Sequence, residues 1–192
     1  LWYEVTPLGR IFVYRELYCT RRSPKELAKD ILDLSPENEK YTKALLSTET
    51  FGKKVELEGG GEPIAELMQK GLGNRVRLER ANNARDAGWS KVREYLGLAP
   101  DGFPWVQFSP NCKNCIRTIP DMIHDDKNPE DLSASGEDHC SDSLRYGLIS
   151  LKDTPKSIIS PYRSNYEKIF GIQDEKNVNV AHLPIPKRGG GY

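Results

Sequence analysis

Apolar residues recur along this chain at two spacings, and the change from one to the other marks its elements. Aromatic and aliphatic runs at Leu1 to Thr6 and Ile11 to Tyr18 predict two strands. The Pro7-Leu8-Gly9 break between them favours a hairpin. Ser23-Pro24-Lys25-Glu26 predicts a helix start, with serine as N-cap, proline in the first helical position and glutamate closing a capping box. That helix runs through Leu27 and Ile31 to about Leu34, and Ser35 to Lys40 is a polar loop. Tyr41 to Ser47 is a candidate buried strand. After Gly59-Gly60-Gly61 and Glu62-Pro63, helical spacing returns at Ile64, Leu67 and Met68. Arg75 to Leu78 alternates like a strand. Asn83 or Asp86 is placed to cap a helix carrying Trp89, Val92 and Leu96. Pro104 to Phe108 predicts a short strand, with a helix around Cys115, Ile116 and Ile119, and Asp125 to Gly136 is a polar loop. Strands alternating with helices predict an α/β protein whose sheet is at least partly parallel.

The last predicted helix, from Glu137 through Tyr146, sorts its residues into two faces. Cys140, Leu144, Leu148 and Leu151 make an apolar stripe, and His139, Asp142, Arg145 and Tyr146 lie off it. Asp138 and Asp142 are one turn apart with His139 between them. Two carboxylates and an imidazole near a helix start suit oxygen-preferring cations such as Mg²⁺ or Mn²⁺. The same spacing equally describes a solvated face with an Asp142–Arg145 pair.

Length and charge narrow the partners. A chain of 192 residues is enough for one core-forming domain. Beyond Leu151 the periodicity fades; Ser160-Pro161 and Pro184-Ile185-Pro186 break regular structure, so residues 153–192 read as a tail with one short helix near Tyr166 to Phe170. Lys and Arg number 28, as do Asp and Glu, so no global basic field announces a nucleic-acid partner. Any DNA contact has to come from a local patch or a bound metal. Arg75, Arg77, Arg80 and Arg85 form the densest such group, with Lys113, Arg117 and Lys187-Arg188 as further basic positions; the Arg75–Leu78 alternation equally suits the solvent face of an edge strand. Trp89 offers a stacking surface for a base, but its spacing to Val92 fits a core position better. No apolar run is long enough to span a bilayer, and no signal peptide is evident. The chain opens on Leu1-Trp2-Tyr3 without an initiator Met, so a true start upstream is expected.

The four cysteines are Cys19, Cys112, Cys115 and Cys140. Without a secretory signal they read as reduced thiols. Cys112-Lys113-Asn114-Cys115 has the spacing of half a zinc site, with no second Cys-x-x-Cys to complete it. His139-Cys140 makes a poor other half, because adjacent helix residues point in different directions.

Three segments taken in order carry a resemblance. Gly61-Glu62-Pro63-Ile64-Ala65-Glu66-Leu67, Ala81-Asn82-Asn83-Ala84-Arg85-Asp86-Ala87-Gly88-Trp89 and Asp138-His139-Cys140-Ser141-Asp142-Ser143-Leu144-Arg145-Tyr146 resemble the C-terminal nuclease domain of tailed-phage large terminases over roughly residues 1 to 152. The resemblance implies a ribonuclease-H-like mixed sheet flanked by helices, here lacking part of its first strand. It implies a metal-dependent endonuclease that cuts concatemeric double-stranded viral DNA in the host cytoplasm, transiently at the procapsid portal. Its partners would be the terminase ATPase domain, the small terminase subunit and the portal. No Gly-x-x-x-x-Gly-Lys-Ser/Thr phosphate loop occurs in this chain, so the ATPase half is not part of it. The implied chemistry uses two Mg²⁺ or Mn²⁺ ions about 4 Å apart, which activate a water and stabilise the leaving oxygen. Among the family's ligands, Asp142 matches the helix-borne acid, His139 a nearby histidine and Asp138 a neighbouring acid. The first-strand acid has no counterpart, and the fourth-strand acid falls at Ser47, with Glu49 two residues on as a substitute if the chain bends there. Glu16 lies in a strand beside the expected site. A catalytically impaired module that binds DNA or docks within the motor is the alternative, and a zinc-stabilised domain built on Cys112 and Cys115 a weaker third.

Overall fold

The computed structural model describes residues 1–55, 61–99, 101–133 and 136–151. The chain divides into one unit over Leu1–Ser160 and a second over Pro161–Tyr192, and the second lies outside the described residues, as do the expected tail and its short helix. The first unit is mixed α/β, with small sheets and five α-helices among the described residues.

The opening hairpin forms as the pattern predicts. Strands β1 (Trp2–Val5) and β2 (Ile11–Arg15) pair antiparallel from Val5↔Ile11 to Trp2↔Arg15. The turn closes with Gly9 at φ 81°, a conformation that favours glycine, and the Thr6 hydroxyl accepts the Arg10 N–H. Helix α1 (Pro24–Asp33) begins with the expected reciprocal cap, in which the Ser23 hydroxyl accepts the Glu26 N–H and the Glu26 carboxylate accepts the Ser23 N–H.

Strand β3 (Ala44–Leu46) is shorter than the Tyr41–Ser47 run suggests. At Ser47 the chain bends into a single 3₁₀ turn over Thr48–Phe51, held by the Thr50 hydroxyl on the Ser47 carbonyl. A two-residue pair, β4 (Lys54–Val55) with β5 (Glu62–Pro63), leads into α2 (Ile64–Leu72). Strand β6 (Leu78–Arg80) then runs parallel to β3. The alternation at Arg75 to Leu78 therefore misplaces this strand by several residues. The Gln69 side chain is the reason: its amide donates to the Gly73 and Val76 carbonyls, and its oxygen accepts the Leu78 N–H. It takes the Val76 carbonyl and the Leu78 N–H, and the ladder to β3 begins with the Ala44 N–H on the Arg77 carbonyl.

Helix α3 (Arg85–Leu96) also starts differently from expectation. Ala84, not Asn83 or Asp86, holds the N-cap position, and the Asn82 side chain turns the chain by accepting the Ala84 N–H. Trp89, Val92 and Tyr95 are buried, whereas Leu96, expected on the apolar face, is exposed. Strand β7 (Val106–Phe108) adds parallel to β2, and α4 (Lys113–Thr118) and α5 (His139–Ile149) follow. The strands form three small sheets, ordered β1-β2-β7, β3-β6 and β4-β5.

Two apolar cores result. The larger packs Val13, Val106, Trp89, Val92, Leu144 and Leu148 between the β1-β2-β7 sheet and helices α3, α4 and α5. The smaller joins α1 and α2 through Ala28, Leu72 and Val76. The α1–α2 contact is close enough that a Cβ at Gly71 would lie 2.6 Å from the Ala28 Cβ. Gly71→Ala gains about 1 kcal/mol in helix propensity but overpacks this contact at about 1–3 kcal/mol. The expected outcome is a net loss near 1 kcal/mol in urea unfolding; a stabilised variant would show that the helices are not packed this tightly.

Candidate functional site

The start of α5 sits against α3, and the contact is built around one buried cation. The Arg145 guanidinium is 2% exposed and binds a single oxygen of Asp142, with Nη2 at 2.9 Å and Nε at 3.0 Å from Oδ1. It lies over the Trp89 ring at 5.0 Å and the Tyr146 ring at 4.6 Å. Its Nη1 is buried and has no hydrogen-bond partner among the described residues, so the ring faces carry that side of the charge. Arg145 was expected off the apolar stripe and is nonetheless among the most buried of the described residues. The stem reaches its place because position 88 has no side chain: a Cβ there would meet Arg145 Cγ at 2.6 Å and Cδ at 2.9 Å.

A third segment closes this arrangement. Asp131, in the loop before α5, accepts the Trp89 indole N–H at 2.8 Å and both Nε and Nη2 of Arg85. These bonds from Arg85 hold the Asp131 carboxyl at about 2, against its burial. Arg85 is raised above its ordinary value chiefly by the same bonds, and Asp142 and Asp138 add to the field it feels. Sequence reasoning missed Asp131; the signal available was Trp89, whose buried N–H needs an acceptor.

Asp142 keeps part of its surface in solvent, with the side chain 24% exposed, and its Oδ2 has no protein partner among the described residues. Asp138 precedes the helix; its carbonyl accepts the Asp142 N–H and the Ser141 hydroxyl. His139 is 79% exposed, with Nδ1 3.5 Å from Asp138 Oδ1. Glu49 points to solvent from the 3₁₀ turn after β3. The segment from Ala81 to Arg85 connects these regions: the Ala81 N–H donates to the Leu46 carbonyl, the Thr48 hydroxyl donates to the Ala81 carbonyl, and Arg85 reaches the field of Asp142. The carboxyl ends of the parallel strands β3 and β6 thus face the same connection, the usual location of a site in open α/β sheets.

The proposed metal ligands do not converge. Among the described residues, the one group of three His, Cys, Asp or Glu ligand atoms lying within 4.8 Å of one another is Glu16, Cys115 and Cys140. Asp142 offers the hard oxygen that Mg²⁺ or Mn²⁺ takes, but it forms no such group of three with Glu49 and His139. The described residues by themselves therefore do not fit a two-metal cluster. The basic positions are likewise dispersed in their roles. Arg75 bonds the Pro36 carbonyl and covers Tyr41, Arg80 covers Phe51, and the charge of Arg85 is matched by Asp131. Arg77 and Lys113 are exposed.

Comparison with protein-family models, curated proteins and solved structures finds no match in any of the three.

A separate polar cluster lies on the other side of α5. Glu16, just beyond β2, accepts the Asn114 N–H at 2.8 Å, its side-chain amide at 2.9 Å and the Cys115 N–H at 3.0 Å. Burial opposes its charge, but these donors outweigh burial and hold the carboxyl below its usual value. The neighbouring Cys115 thiol draws the Cys140 thiol below its ordinary value, while Cys115 itself is pushed up by Cys140 and by burial. Cys112 instead donates its thiol to the Val13 carbonyl at 3.5 Å, and desolvation pushes it up to about 11. The Cys-x-x-Cys spacing thus does not bring its two sulfurs into one cluster; Cys115 faces Cys140.

Two outcomes test this geometry. Gly88→Ala forces a Cβ into the Arg145 stem and is expected to lower stability by about 1–3 kcal/mol, read by urea unfolding. For Asp131, the folded carboxyl titrates below its ordinary value of about 3.9, so its contribution is complete above roughly pH 4. It is lost as pH falls through about 2. The gap in thermal midpoint between the native chain and Asp131→Asn is therefore expected at neutral pH and should close in acid. A gap that is constant with pH would contradict the pairing with Arg85.

Proposed function

We propose that this chain is the nuclease domain of a tailed-phage or prophage large terminase, a metal-dependent endonuclease acting on double-stranded viral DNA. One observation carries the reading. Two of the three sequence segments that carry the resemblance, around Arg85-Gly88-Trp89 and Asp142-Arg145-Tyr146, pack directly on each other through Arg145, Trp89 and the bare Cα of Gly88. Their spacing in the chain is unrelated to this contact, so a chance match of either segment would not require it. In this reading Arg145 is a positioning residue that aims the Asp142 carboxylate, and Asp142 is the helix-borne metal ligand. Asp138 and His139 flank it, and Glu49 stands two residues from the position expected for another acid.

A ribonuclease-H-like sheet is the finer form of the α/β fold proposed here. Its support is that the β1-β2-β7 sheet mixes an antiparallel with a parallel pair, that β3 and β6 are parallel, and that helices α3 and α5 pack on the first sheet. The partners that go with this reading are the ATPase domain, the small subunit and the portal, in the cytoplasm of a bacterial host. No helix among the described residues is long and apolar enough to cross a membrane.

A second reading has its own observation. Ser47 stands where the family carries an acid, and the described carboxylates do not gather around Asp142. That favours a nuclease-like module that binds DNA or docks within the packaging motor without cutting. Incubating plasmid with the chain in Mn²⁺, Mg²⁺ or EDTA separates the two. Manganese-dependent nicking that Asp142→Ala reduces by a factor of about 100 or more supports the enzyme. Salt-sensitive DNA binding without nicking supports the module. An Asp142→Ala chain that nicks as fast as the native one would remove Asp142 from the site.

A further inference from the structure

We propose that Glu16, Cys115 and Cys140 bind one thiophilic divalent cation, Zn²⁺, at a site distinct from the Asp142 face of α5. Their three donor atoms lie within 4.8 Å of one another. Donors around a tetrahedral zinc, with Zn–S near 2.3 Å and Zn–O near 2.0 Å, sit about 3.5 Å apart, so small side-chain adjustments close the shell. The donor types also choose the metal. Two sulfurs and one carboxylate match zinc, whereas Mg²⁺ and Mn²⁺ prefer all-oxygen shells.

The site is framed before any ion enters. Glu16 is fixed by three hydrogen bonds from Asn114 and Cys115, two on Oε1 and one on Oε2, which leaves Oε2 an acceptor position to share. Cys115 and Cys140 are both buried and sit on different helices, α4 and α5. A cleft of about 210 Å³ lined by Tyr18, Cys19, His139 and Ser143 reaches two of the three donor residues, Glu16 and Cys140, from solvent, with Cys115 buried behind them. It offers an entry path and room for a water as fourth ligand. Binding releases the two thiol protons to solvent: Zn²⁺ with two Cys–SH and one carboxylate gives a bis-thiolate–carboxylate complex and two H⁺. The ligands come from positions 16, 115 and 140, so the ion would cross-link the end of β2, α4 and the first turn of α5. That first turn also carries His139 and Asp142.

Cobalt and zinc titrations of the reduced, chelator-stripped full chain test this. One equivalent of Co²⁺ is expected to give thiolate-to-cobalt charge-transfer absorption that Zn²⁺ displaces and Mn²⁺ does not. Zinc should also raise the thermal midpoint. Cys140→Ser is expected to weaken the band and Cys112→Ser to leave it intact. Glu16→Gln, which keeps an oxygen acceptor for the helix, is expected to weaken zinc binding about 10- to 100-fold. Absence of the band at stoichiometric cobalt, or its loss in Cys112→Ser rather than Cys140→Ser, overturns the site. If circular dichroism shows Cys140→Ser unfolded, Glu16→Gln decides, and unchanged zinc affinity there overturns it equally.

Discussion

A single guanidinium governs how this domain holds together around its polar chemistry. Arg145 brings a full positive charge into the larger core, where burying an ion without compensation would be severely unfavourable. The structure meets that demand with Asp142 on one side and the faces of Trp89 and Tyr146 on the other. Each partner then acquires an obligation of its own. Trp89 must place its N–H on Asp131, and Asp131 in turn ties down Arg85 and the loop before α5. The result links α3, α5 and an otherwise polar loop through charge and π-faces as well as apolar area. Asp142 stays at the boundary, half committed to Arg145 and half presented to solvent.

Features that depend on neighbouring residues were legible in the sequence. The hairpin follows from the apolar runs flanking Pro7-Leu8-Gly9, and the start of α1 from a capping box whose two halves lie three residues apart. Features that depend on distant partners were not. Arg75 to Leu78 alternates like a strand, but Gln69 takes the Val76 carbonyl and the Leu78 N–H, and the strand paired with β3 is Leu78–Arg80. Asn83 and Asp86 are good capping residues, yet Asn82 sets the turn first and leaves Ala84 at the helix start.

The same division runs through the candidate site. That Asp142 and Arg145 share a helix face was readable from their spacing of three. That Arg145 is buried was not, because burial of a cation depends on rings and a carboxylate contributed by other segments. The cysteines show the reverse error. Cys112 and Cys115 look paired in sequence, but the short α4 separates their sulfurs, and the closer partner of Cys115 is Cys140, twenty-five positions further along.

The bare Cα at position 88 has a consequence for how such a chain can vary. The volume that a side chain would occupy there is already filled by the Arg145 stem, so the two positions cannot drift independently. A lineage that acquires a side chain at 88 must shorten or relocate the residue at 145, and the acid at 142 would then lose the cation that orients it. Glycine, arginine and aspartate at these three positions therefore constrain one another, though they are spread over two helices and more than fifty residues of sequence.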